Sequence, residues 1–371
     1  MHFFWLVFML VASSAAVAAP AGIHARSWVV IDLASGQELA GHQADLPLAP
    51  ASLTQLMTAY VLLTDIRNNK LSLGETVTVP EAATLADGAR VFLKTGDQVS
   101  VDTLLQAMLV QSASDATLAL AIMSDGSEAA FVTRMNREAQ RLGMRKTRFM
   151  NATGLTEPGH ESTAHDLAIL SRALLRDFPN RQGFFTQKEI AFKGLTYYNG
   201  NRLLWRDRTV DGLKVGRTTQ AGYCLAVSAR RGEQRRIAIV LGARSDSQRT
   251  QDGLKLLNYS FENFDSARLY RGRQTVKTLE VYRGARNTVH LGFAQDFYLL
   301  APQGSLPRIK AQILTRQPVV APITLGQQLG TLRLTLDGKL LGDYPLRALN
   351  DVKVAGILGR GWDSIRLMFS K

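Results

Sequence analysis

Three short stretches hold the residue types that acyl-transfer chemistry needs. In the first, Pro50 to Thr58, Ser52 opens a helical pattern and Gln55 follows three positions later, so both return to one face. That is the spacing of the S-x-x-K nucleophile, in which a lysine accepts the serine proton and activates a weak nucleophile. Here Gln55 stands at the lysine position, and an amide takes no proton near neutral pH. In the second, Gln111 to Ala116, Ser112 can relay a proton as in an S-x-N element. Ser114 replaces the asparagine and loses an amide that would hold a substrate carbonyl. In the third, Lys214-Val215-Gly216 reads like Lys-Thr-Gly on a strand lining a cleft. Lys214 keeps the cation, Gly216 keeps a close backbone approach, and Val215 lacks the hydroxyl. Each match alone is weak; three in order make coincidence a poor explanation.

These residues need elements to carry them. Trp28–Leu33 reads as a strand, Ala34–Gln37 as a Ser-Gly turn, and Glu38–Ala40 as a returning strand. Helical spacing is expected over Ser52 to about Arg67, Val101–Met123, Glu128–Leu142 and Ala164–Leu175. From Val210 short strands follow, including Tyr223–Ala229 and Arg236–Gly242, then a helix near Arg249–Phe264. A hairpin first, helices in the middle and strands last describe a sheet built from both chain ends with helices packed on it. After Tyr270 the helical period stops. Short β-like runs follow, and Asp337-Gly338 between alternating runs signals a hairpin.

Composition narrows the setting. The 371 residues exceed what one core usually covers, and 46% hydrophobic with 20% charged residues excludes a disordered chain. One cysteine, Cys224, excludes an intramolecular disulfide and a multi-cysteine metal site; between Tyr223 and Leu225 it reads as a small core residue. His160 and His165 lie in a polar loop without carboxylates at ligand spacing, so no metal and no cofactor are expected. The apolar run Phe3–Val11, followed by small residues up to Ala19, reads as a signal peptide cleaved near Ala18 or Ala19. The net charge of +13 calls for an acidic partner, and export excludes genomic nucleic acid. Residues 271–371 hold 15 basic and 6 acidic residues, so the basic character is mainly C-terminal. Leu358, Trp362, Ile365 and Phe369 share one helical face. That tail could dock on the protein's own sheet or lie in a membrane interface.

Taken together, the chain resembles the low-molecular-weight penicillin-binding proteins, the D-alanyl-D-alanine carboxypeptidases of Gram-negative bacteria. Besides the three motifs, the resemblance rests on Ser35-Gly36, Phe92 to Asp97, Asn136 to Ala139, Gly154-Leu155, Gly222 to Cys224 and Ile365 to Phe369. It implies a signal peptide at 1–19 and, at 22–268, an α/β (α+β) transpeptidase domain of the penicillin-binding-protein and β-lactamase kind, an antiparallel sheet flanked by helices. A small all-β domain at 271–354 and an amphipathic membrane-associating tail at 355–371 complete it. The implied location is the periplasm, peripheral on the outer face of the inner membrane.

The implied reaction is removal of the terminal D-alanine from peptidoglycan stem peptides through an acyl-serine, which β-lactams trap. Ser52 would be the nucleophile, with its backbone N–H in the oxyanion hole, and Ser112 the proton relay. Lys214 would be an electrostatic and proton-relay partner, with Ser114 and Gly216 lining the substrate cleft. Thr218 and Arg249 would hold the terminal carboxylate. With a glutamine at 55, a serine at 114 and a valine at 215, acylation is expected to be very slow and β-lactam binding weak. The alternative is a paralogue that binds stem peptides or proteins at the membrane without catalysis.

Overall fold

The structure, a computed structural model, describes residues 20–315 and 317–356; the expected signal peptide and positions 357–371 of the expected tail lie outside the described residues. The described residues up to Glu262 form one compact unit and those from Asn263 another.

The first unit is built on a five-stranded antiparallel sheet. Its strands are β1 (Ser27–Asp32), β2 (Glu38–His42), β3 (Val210–Thr218), β4 (Gly222–Arg231) and β5 (Gln234–Ala243). Their spatial order is β2-β1-β5-β4-β3, so the first and last strands of this unit meet where Val29 lies opposite Ile239. The middle of β5 is apolar without alternation because both faces are covered. On one face Ile237, Ile239, Cys224 and Ala226 join a core shared with the helices. On the other, the C-terminal helix passes so close that a Cβ on Gly253 would stand 2.6 Å from Leu225 Cδ2.

The longer helices are α1 (Gln55–Arg67), α2 (Val101–Gln111), α3 (Ser114–Asp125), α4 (Glu128–Leu142), α5 (Ala164–Asp177) and α6 (Asp246–Asn263). Side-chain oxygens start three of them: Ser100, Ser127 and Thr163 accept from the backbone N–H three residues on. The apolar pattern over Val101–Met123 predicts one helix, and here the structure differs. It breaks at Ser112, which takes a left-handed conformation (φ 61°, ψ 31°) between α2 and α3. A left-handed serine is held there by its surroundings, and the break turns Ser112 and Ser114 toward one cleft.

The second unit is all β. Six strands lie in the order 309–315, 328–336, 339–348, 288–292, 277–282 and 319–320, antiparallel except for the last pair. Leu279, Leu291, Leu332, Leu334 and Leu346 fill its core. Asp337 (φ 49°) and Gly338 (φ 81°) form the two-residue turn between Leu336 and Lys339 that the Asp-Gly pair signals. The fold is therefore an antiparallel sheet flanked by helices, followed by an all-β domain, as the sequence leads one to expect.

Candidate active site

Ser52 sits in a single 3-10 turn, Ala51–Thr54, immediately ahead of α1. Two glycines pack against the backbone of this turn. A Cβ on Gly216 of β3 would stand 2.8 Å from Ser52 N, and one on Gly154 would stand 2.0 Å from Ala51 O. Only residues without a side chain allow so close an approach. Ala51 itself adopts φ 49°, a left-handed conformation that a non-glycine residue keeps only when its neighbours impose it. The Ser52 backbone nitrogen thus lies against β3, where an N–H can stabilise charge developing on a carbonyl oxygen.

Ser52, Ser112, Ser114, Gly216, Thr218 and Arg249 all line one cleft of about 220 Å³. Gln55 and Lys214 are buried and reach the cleft through Ser112. Gln55 Nε2 donates to Ser112 O (3.2 Å) and to Thr117 Oγ1 (3.3 Å). Its Oε1 is buried without a hydrogen-bond partner among the described residues. Lys214 Nζ hydrogen-bonds to Ser112 Oγ, and among the described residues no carboxylate pairs with it. Burial, with the like charge of Arg249 adding to it, pulls the Lys214 ammonium down to about 7. A neutral amine, competent to accept a proton, is therefore accessible at ordinary pH.

Val215 packs where the sequence comparison with Lys-Thr-Gly calls for a hydroxyl; its Cγ2 would lie 2.7 Å from a Cβ on Gly200. Thr218 Oγ1 accepts from Ala221 N (3.0 Å) and still has its own proton to donate. Arg249 is buried, and each of its nitrogens is engaged. Nε donates to Asp246 Oδ1 (2.8 Å), and Nη1 donates to Gly216 O (3.1 Å) and Cys224 O (3.3 Å). Nη2 donates to Gly200 O (3.5 Å) and lies 2.6 Å from Asp246 Oδ1.

Residues outside the three motifs complete the walls: Gly88, Thr153, Leu155 and Arg217. Arg217 adjoins the third motif, but an exposed strand arginine has no local signature of function. Among the described residues no cluster of three or more His, Cys, Asp or Glu could hold a metal ion.

His160 supports the nucleophile's turn from behind. Its Nδ1 accepts from Met150 N (3.2 Å), which leaves the proton on Nε2, 2.8 Å from Thr54 Oγ1. Burial pulls the ring's pKa down to about 4, against a small opposing pull from Glu157. In the unfolded chain the ring titrates near its ordinary 6.5. Protonation thus favours unfolding, so stability is intact above about pH 6.5 and falls as pH drops toward 4. The full loss amounts to roughly 3 kcal/mol. We expect urea midpoints to fall between pH 7 and pH 4.5 more steeply in the wild type than in His160→Gln. Parallel curves would show that the ring is not the titrating group.

The site thus joins a serine at the start of a helix, a half-buried serine bonded to a buried lysine in the same cleft, and a strand glycine against the first serine's backbone, a set suited to acyl transfer through a serine. Comparisons with known proteins carry this further. Residues 13–245 match the D-alanyl-D-alanine carboxypeptidase family, and 264–354 match the C-terminal domain of penicillin-binding protein 5. The D-alanyl-D-alanine carboxypeptidase DacC of Escherichia coli is 38% identical over 366 residues, covering 96% of this chain and 91% of that protein. DacF of Bacillus subtilis is 34% identical, covering 90% and 87%. Penicillin-binding protein 5 from Haemophilus influenzae superposes with a TM-score of 0.87 at 34% identity, covering 91% of this chain and all of that one. Penicillin-binding protein D2 of Listeria monocytogenes, solved in its ampicillin-bound form, matches with a TM-score of 0.59 at 35% identity, covering 64% of this chain and 97% of that one. The chain belongs to the D-alanyl-D-alanine carboxypeptidase family of low-molecular-weight penicillin-binding proteins.

Proposed function

We propose that this protein takes the D-Ala-D-Ala end of peptidoglycan stem peptides into the Ser52 cleft and turns it over slowly. The observation that carries the reading is Gln55: a buried amide that donates to Ser112 O and Thr117 Oγ1 occupies the position of the base. In the reaction, Ser52 Oγ attacks the carbonyl of the penultimate D-alanine, and its proton leaves through Ser112 to Lys214. The peptide C–N bond breaks, the amine of the terminal D-alanine takes up a proton, and water later hydrolyses the acyl-serine. Loss of general-base help costs about 10²–10⁴ in rate, so binding outlasts catalysis in this site. The second reading, a stem-peptide or protein-binding module without turnover, rests on the further departures at Ser114 and Val215.

Fluorescent penicillin tests both. We expect covalent label at Ser52 only after long incubation, and none in Ser52→Ala. Prompt labelling would overturn the impaired reading, and none at all after saturating exposure would favour the binding module. We also place the mature chain in the periplasm, peripheral on the inner membrane through its basic C-terminal region and tail. Among the described residues no helix is long and apolar enough to cross a membrane.

A further inference from the structure

A second cavity, about 130 Å³ in volume, lies between the Ser35-Gly36 turn, the end of α4 and one stripe of α5, and shares no residue with the Ser52 cleft. Its walls are largely apolar, with Ile31, Leu142 and Ile169 among them. Its polar side chains are His165, Arg172 and Arg176, and none of its lining residues is an aspartate or glutamate. Arg172 is the fixed member. Its Nε donates to Leu33 O (2.8 Å) and its Nη2 to Ala34 O (3.0 Å), which leaves Nη1 without a protein acceptor among the described residues. Gly36 makes room for this guanidinium, because a Cβ there would stand 2.8 Å from Arg172 Cζ. Arg172 is half-buried and pairs with no carboxylate among the described residues, and burial and the like charge of Arg176 both work against its charged form. The nearby acids are engaged elsewhere. Asp45 lies 3.6 Å from both His165 Nδ1 and Lys146 Nζ, Asp177 accepts from Arg176 and Tyr60, and Asp32 is bonded to the buried Arg236.

We propose that this cavity binds a small organic carboxylate with a short apolar tail. The carboxylate accepts from Arg172 Nη1, with Arg176 and His165 adding positive charge and donors beside it. The tail lies against Ile31, Leu142 and Ile169. A guanidinium already held by two carbonyls loses little freedom on adding an anion, so the site is preorganised. The volume is close to that of a dry apolar cavity of about 150 Å³ that takes up a benzene ring, which sets the size of ligand that fits. A mineral anion would satisfy the arginine and leave the apolar walls unmatched. The Ser35-Gly36 pair, which the three motifs leave without a role, thereby becomes one wall of a separate site.

Calorimetry on the full chain tests this with three probes: isovalerate, its neutral amide and inorganic phosphate. We expect isovalerate to bind with a Kd of about 1 mM, and the amide and phosphate to bind about 10-fold more weakly or worse. Arg172→Met should abolish isovalerate binding. That change also leaves the Leu33 and Ala34 carbonyls without their donor and can loosen the turn, so Ile169→Trp gives an independent reading. It fills the cavity, keeps all three basic side chains, and should abolish binding as well. Phosphate binding as tightly as isovalerate would overturn the assignment to an organic carboxylate. Isovalerate binding that survives both variants would place the ligand elsewhere and overturn the site. So would the absence of binding at concentrations about 10-fold above the expected Kd.

Discussion

Lys214→Met should remove the acylation of Ser52 that the wild type retains. Lys214 is the one amine hydrogen-bonded to Ser112 among the described residues, and Ser112 shares the cleft with Ser52. With Gln55 unable to take a proton, the route for the Ser52 proton runs through Ser112 Oγ to Lys214 Nζ. The amine serves only when neutral. Its pKa is pulled down to about 7, so the neutral form gains population as pH rises through that value. The rate of penicillin labelling should therefore climb between about pH 6 and 8 and level off above. In Lys214→Met the loss should be at least about 10²–10⁴, with no inflection left near 7. Stability is the control. Methionine matches the lysine's length without burying an amine that lacks a carboxylate partner, so the melting temperature should hold or rise. A variant that folds and labels at the wild-type rate would exclude Lys214 as the base.

How much of this was legible in sequence follows from where each signal lies. The Asp337-Gly338 hairpin is set by two adjacent residues that tolerate positive φ, so it can be read locally. Joining the first strands to the last needed only their apolar runs and the helical patterns between. The break at Ser112 could not be read this way. Apolar periodicity runs on from Val101 to Met123, and what holds Ser112 left-handed comes from Gln55 and Lys214, distant in sequence. The same limit applies to Arg249. An arginine near the expected carboxylate site could be placed only through the family resemblance. That its nitrogens are occupied by carbonyls of Gly200, Gly216 and Cys224 depends on three separate segments meeting. The short hairpin of Glu189–Phe192 with Leu195–Tyr198 has no sequence signature either, since four-residue strands carry little periodic signal.

Gln55→Lys tests which of the three departures limits the chemistry. A lysine here would begin α1 next to the Ser52 turn, and its Nζ would find Ser112 O and Thr117 Oγ1, the acceptors that Gln55 Nε2 now uses. Little is lost with the amide oxygen, which is buried and unpartnered. The new amine has two reasons to be neutral near pH 7: it is fully desolvated, and Lys214 bonds to the same serine. Both lower its proton affinity, as a general base needs, and both work against folding while it is charged. The melting temperature should therefore fall, most at low pH where both amines are protonated, and recover as pH rises. Against that loss, penicillin labelling and D-alanine release should accelerate by about 10²–10⁴, because a base adjacent to Ser52 restores help that the Ser112–Lys214 route supplies only indirectly. The variant should also lose much of its dependence on Lys214, so Lys214→Met should slow Gln55→Lys by a smaller factor than it slows the wild type. If Gln55→Lys folds but gains nothing, position 55 is not the limiting defect. The asparagine amide missing at Ser114 and the hydroxyl missing at Val215 then become the sites to restore, as Ser114→Asn and Val215→Thr on the same background.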